Sequence, residues 1–110
     1  MLRIAADQGV AASRDPRNRG VWTTGRKLGS VGVAVRHGVA FHGLALNVVN
    51  DLDPFSWINP CGLAGVTMTS LAIESGRPCA LTEVKTSCRR ALEQVFARRL
   101  EDISSHALRP

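Results

Sequence analysis

Tyrosine is absent from this chain of 110 residues, and tryptophan and phenylalanine bring the aromatic share to only 5%. A surface that stacks bases needs such rings, so no nucleic-acid partner is expected. The three cysteines, Cys61, Cys79 and Cys88, form no CxxC pair, and His37, His42 and His106 form no HxxxH pattern. The usual zinc spacings are therefore missing, and no metal site is expected. There is no signal-peptide pattern, which argues against a disulfide framework and for a reducing compartment. No run is apolar for long enough to cross a bilayer, so no membrane partner is expected either.

What is present has the size and balance of one small domain: 45% hydrophobic residues and 21% charged. The formal net charge is +5. Such a surplus favours acidic partners, but here the arginines are scattered and read first as a solvated surface. The opening stretch "MLRIAADQGVAASRDPRNRG" is arginine-rich in the manner of a mitochondrial transit peptide, yet it carries Asp7 and Asp15, which such peptides avoid. It reads instead as the end of a helix, a stop at Gly9 and an irregular link through Pro16.

From Ser30 onward the pattern alternates every second residue, with Val31, Val33 and Val35 between Ser30, Gly32 and Ala34. A two-residue loop at His37-Gly38 would set Ser30 opposite Ala45, Gly32 opposite Gly43 and Ala34 opposite Phe41. One face of that hairpin then carries almost only small residues near its open end. The other pairs Val31, Val33 and Val35 with Leu44, His42 and Ala40. Glycine within a strand marks either a close approach by a ligand or a bulge; the first would leave a groove wide enough for an alkyl chain. On the apolar face, His42 reads as a hydrogen-bonded core residue.

Residues 50–60 read as a loop with a turn after Asp53-Pro54, pinned to the core by Phe55, Trp57 and Ile58. A short apolar element then runs to Gly76. From Thr82, taken as the N-cap, the period becomes helical: Val84, Cys88, Ala91, Leu92, Val95, Phe96, Leu100 and Ile103 form one stripe. Cys88 on that stripe reads as a small core hydrophobe, while Cys79 has no supporting pattern. Cys61 stands apart, between Pro60 and Gly62 in "WINPCGLAG". It can be read as a nucleophile, a metal ligand or a small hydrophobe. Lys27, in "TGRKLGSVG", precedes the small-residue strand. An ammonium beside a thiol favours the thiolate and can carry protons during acyl transfer, although sequence spacing alone does not bring the two together.

The run from Gly20 to Leu71 contains a lysine followed by a short "SVG" strand, then "HGLALNV", then "PCG". In this order it resembles the C-terminal half of the lipoyl(octanoyl) transferases, cysteine/lysine acyltransferases of the biotin/lipoate protein-ligase fold. The resemblance implies an α+β fragment of that catalytic domain: a partial mixed or antiparallel sheet with a C-terminal amphipathic helix over 82–103. The whole chain, 1–110, is then a single incomplete domain whose motifs lie in 20–71. By the same resemblance Cys61 matches the acyl-thioester nucleophile and Lys27 the lysine that lowers its pKa. Ser30, Val31 and Gly32, with Gly43, Leu44 and Ala45, match the segments lining the acyl chain. The implied reaction moves an octanoyl group from acyl carrier protein to a lysine of a lipoyl domain, in a 2-oxoacid dehydrogenase complex or the glycine cleavage H protein, with no cofactor. A cytoplasmic location follows, with a mitochondrial one as the alternative. Family members also carry an arginine-glycine-glycine stretch and a histidine-glycine-proline-glycine-glutamine stretch in an N-terminal half, and neither occurs here. The rival expectation is therefore a non-catalytic fragment or assembly module that lacks, or must borrow, that half of the pocket.

Overall fold

The computed structural model describes residues 1–16, 18–59, 62 and 64–108, with the side chain of 108 left out. The fold is α+β. A short helix α1 (Leu2–Asp7) leads into strands β1 (Ser13–Asp15), β2 (Asn18–Trp22), β3 (Arg26–Arg36) and β4 (Val39–Leu46). A 3-10 turn (Asp53–Trp57), β5 (Thr67–Met68), helices α2 (Leu71–Ser75) and α3 (Leu81–Phe96), and a further 3-10 turn (Ser105–Leu108) follow. The strands form one mixed sheet: β1 to β4 are antiparallel neighbours in sequence order, and β5 lies parallel to β3.

The hairpin of β3 and β4 has the expected register. Gly32 pairs with Gly43, Ser30 with Ala45 and Val31 with Leu44. His37 and Gly38 form its loop, with φ of 50° and 79°. Two successive positive φ values define the turn whose twist matches that of the flanking strands, and glycine takes the second without steric cost.

Helix α1 has six residues, too few to persist alone. It is held by burial of Ile4 and Ala5 in a core shared with Val21, Leu28, Leu71 and Val84. Its end is closed as a Schellman pair, Gly9 N–H to Ala6 C=O and Val10 N–H to Ala5 C=O, both 2.9 Å. The stop at Gly9 is thus as expected. Asp7 then ties α1 to α3. Its carboxylate accepts a hydrogen bond from Ser87 Oγ and pairs with Arg90 at 2.7 Å.

Several expectations need correcting. Helix α3 begins at Leu81, after Ala80, so Thr82 lies inside it and is not its cap. It ends at Phe96, not at Ile103, because Ala97 turns left-handed at φ 50° and the Glu93 carboxylate takes the Leu100 N–H at 2.9 Å. Arg89 then holds the folded-back tail through Asp102, at 2.8 and 2.9 Å. Leu100 and Ile103 are exposed outside the helix. Trp57 is 80% exposed and Ile58 is exposed too, so they do not pin their loop to the core. His42 is also exposed, at φ 69° and with its ring 4.6 Å from Phe41. The hairpin's far end reaches beyond the helices, so alternation there does not mean burial. Cys88 packs partly buried against the core as expected, and Cys79 is a core residue.

Leu28, fully buried, and Val35, exposed near the hairpin tip, give a contrasting pair. Leu28→Ala is expected to cost about 2–5 kcal/mol in urea unfolding, and Val35→Ser no more than about 0.5 kcal/mol. Asp7 gives a pH test. Its hydrogen bond from Ser87 and its pairing with Arg90 hold its carboxyl below the ordinary 3.8. A carboxyl depressed in the folded state adds stability above its unfolded value and loses it as pH falls through the folded one. Acid unfolding of Asp7→Asn should therefore show a shallower loss of stability below about pH 4 than the parent.

Candidate functional site

Simple alternation would put Lys27 on the same face as Val31, Val33 and Val35. The structure puts it on the other. On β2, Gly20 pairs with Ser30, Val21 with Gly29 and Trp22 with Lys27. Two residues of β3 are thus spent against one step of β2, which is a bulge centred on Leu28. Gly20 and Trp22 share a face of β2, and directly paired residues share a face of the sheet. Lys27 therefore joins Ser30 on the small-residue face, while Leu28 enters the core. The bulge is what makes both placements possible.

Lys27 is completely buried, and no larger side chain in the described core is so fully enclosed. Its Nζ donates to Asn18 Oδ1 at 2.5 Å and lies 5.6 Å from the centroid of the Trp22 ring. A buried ammonium without acceptors would cost several kcal/mol, and among the described residues no buried side-chain nitrogen or oxygen lacks a hydrogen-bond partner. On the other side of β3, where β4 has ended, β5 takes over the ladder: Lys27 pairs with Met68. Thr69 N–H donates to the Lys27 carbonyl at 2.9 Å. Asn47, the asparagine of "HGLALNV", stitches this corner together. Its N–H reaches Leu28 C=O at 3.1 Å, and its side-chain Nδ2 reaches Thr69 C=O at 3.0 Å.

Beyond Lys27 the small-residue face is an open groove of about 320 Å³, lined by Ser30, Gly32, Gly43 and Ala45, with His42 and Leu44 at its side. A Cβ added to Gly43 would meet nothing within 4 Å, and one added to Gly32 would only touch the Gly43 carbonyl oxygen at 3.8 Å. Packing does not demand glycine at either place; their effect is to leave space. Of the six expected lining residues, Ser30, Gly32, Gly43 and Ala45 thus share one face with Lys27. Val31 belongs to the opposite face, while Leu44 borders both clefts: it also helps form a larger one, about 700 Å³, against Val95 and Phe96 of α3.

Cys61, the expected nucleophile, lies outside the described residues. Nearby, Gly62 N–H donates to Asn59 C=O at 2.9 Å. Sequence reasoning passed over Asn18, Trp22 and Asn47. A signal for the first two exists in "NRGVW", where Asn18, Gly20 and Trp22 recur at the strand period, but it says nothing about a lysine without the bulge. Gly20→Ala should disrupt this corner, because its Cβ would lie 2.3 Å from the Gly29 carbonyl oxygen and its φ is 148°. The expected outcome is a loss of about 1–3 kcal/mol in urea unfolding. Gly43→Ala, with open space at its Cβ, should lose well under half as much.

Residues 1–93 match the family described as the lipoyl protein ligase A/B catalytic domain. Among similar proteins is an octanoyltransferase of Desulfotalea psychrophila, 62% identical over 87 residues, covering 77% of this chain and 39% of that protein. An octanoyltransferase of Geobacter metallireducens is 51% identical over 87 residues, covering 79% and 41%. One of Pseudomonas fluorescens is 46% identical over 92 residues, covering 84% and 42%. This chain thus spans about two fifths of the length of the curated relatives it matches. On these matches, the chain belongs to the family of the lipoyl protein ligase A/B catalytic domain.

Proposed function

We propose that this chain carries the catalytic part of an octanoyltransferase, with Cys61 as nucleophile and Lys27 as its charged partner. The observation that carries the reading is Lys27 itself: a fully buried lysine, on the face of the small-residue groove, in a chain similar to octanoyltransferases. Lysine rarely gives up all contact with water for packing alone, and perturbed or sequestered charges concentrate at reactive sites.

In this reading the Cys61 thiolate attacks the thioester carbonyl of octanoyl-acyl carrier protein. The C–S bond to the carrier's phosphopantetheine breaks, and that sulfur leaves with a proton given by the Lys27 ammonium. The lysine amine of a lipoyl domain, from a 2-oxoacid dehydrogenase complex or the glycine cleavage H protein, then attacks the Cys61 thioester. An amide forms, the Cys61 thiolate is released, and the now neutral Lys27 accepts the proton lost by the amine, which restores its ammonium. Thioester to amide runs downhill, so no cofactor or metal enters the scheme. Ser30, Gly32, Gly43 and Ala45 provide the floor for the octanoyl chain, with Val31 and Leu44 behind them. The proposed setting is the cytoplasm.

A second reading is favoured by one observation: the chain spans about two fifths of its relatives' length. In it, this polypeptide is an assembly module that is inactive until the rest of the family's catalytic domain joins it. The experiment is incubation with octanoyl-acyl carrier protein followed by peptide mapping. The first reading predicts an octanoyl adduct at Cys61 that Cys61→Ser abolishes and that Cys79→Ser and Cys88→Ser leave in place. Gly43→Leu, which fills the groove, should slow its formation at least about tenfold, the usual effect of occluding an acyl site by a few methylenes. Equal labelling of all three cysteines would sink the assignment. Folded protein without an adduct, which gains one when the N-terminal half of a relative is added, would select the second reading.

A further inference from the structure

We propose that Asn18, Gly20 and Trp22 form the seat of Lys27, and that Asn18 is a positioning residue acting on the thiol through the lysine. The proposal rests on the role just given to Lys27. The three residues occupy every second position of β2 and so share one face, and each meets a different part of the same side chain. Asn18 receives its tip, with Oδ1 2.5 Å from Nζ. Because an ammonium only donates, the amide must present its oxygen there. Trp22 walls its head, with the ring centroid 5.6 Å from Nζ, within the range of a cation–π contact. Gly20 makes room for its stem: a Cβ at that position would lie 3.2 Å from Lys27 Cε. The Trp22 indole N–H donates to the backbone carbonyl of Asn18 at 3.3 Å, so the wall is tied to the residue that bears the acceptor.

The chemistry of the acceptor is the informative part. A carboxylate would hold the ammonium more tightly but would cancel its charge. A carboxamide supplies this hydrogen bond without bringing a negative charge of its own, so Asn18 itself does not offset the positive field that favours a thiolate. Among the described residues, the charged groups on the adjoining elements are Arg14 and Asp15 of β1, Arg19 of β2, Arg26 and Arg36 of β3 and Glu74 of α2. Arg26 and Glu74 are paired with each other at 2.9 Å.

The test is the pH profile of iodoacetamide alkylation at Cys61, followed by peptide mapping in the 110-residue chain. Four proteins are compared: parent, Lys27→Ala, Asn18→Leu, and the double variant. Leucine keeps the shape of asparagine and removes its acceptor; Asn18→Ala serves as a second variant if Asn18→Leu unfolds. If Asn18 acts through Lys27, Asn18→Leu should move the alkylation midpoint to higher pH by about half or more of the Lys27→Ala shift, and add nothing in the Lys27→Ala background. A midpoint unchanged by Asn18→Leu while Lys27→Ala shifts it overturns the seat and leaves the role of Lys27 standing. So does an Asn18→Leu shift that persists in full without Lys27. If Lys27→Ala itself leaves the profile in place, the role of Lys27 falls and the seat falls with it.

Discussion

An ammonium group withdrawn from water has to be given acceptors and a shaped wall, or the chain around it rearranges. The organisation of this molecule around Lys27 follows from that requirement. Strand β2 supplies an amide oxygen and an indole face. Strand β5 borders its backbone on the other side. The Asn47 side chain ties the end of β4 to the residue following β5, so the corner that holds Lys27 is closed by hydrogen bonds from three strands' neighbourhoods. The core beneath is assembled by the same stretch of chain, since the residue after Lys27 is the fully buried Leu28.

The bulge at Leu28 reconciles two demands that plain alternation would set against each other. Core packing needs Leu28 and Val21 toward the helices. The proposed acyl site needs Lys27 on the face of Ser30, Gly32, Gly43 and Ala45. An extra residue in β3 satisfies both, and it stands next to the candidate site, where bulges often re-aim a side chain. The result is a sheet with two unlike faces: one partly covered by α1 and α3, and one lined by small residues that leave a groove.

Much of this was legible beforehand. The His37-Gly38 loop fixes the pairing of β3 with β4, because a two-residue hairpin admits one register, and the small-residue face followed from it directly. The Gly9 stop was readable for a similarly local reason, while the α+β class followed from the resemblance carried by residues 20–71. Other features depend on contacts that no period reveals. The end of α3 at Phe96 comes from Glu93 capturing a downstream N–H and from Arg89 gripping Asp102. Exposure of Trp57, Ile58 and His42 reflects how far the loop and hairpin reach beyond the helices, which apolar character alone does not encode. Asn18 was invisible as a partner of Lys27 because the bulge that brings them to one face is a tertiary feature.

The central claim is that the acyl group occupies the small-residue face beside Lys27, and not the larger cleft between the hairpin and α3. A crystal structure of the chain octanoylated at Cys61 tests it most directly. The account predicts the thioester next to Lys27 Nζ, with the alkyl chain running over Gly32 and Gly43 toward Ala45. An alkyl chain lodged against Val31, Val95 and Phe96, with Lys27 still enclosed by β2 and remote from the thioester, would contradict it.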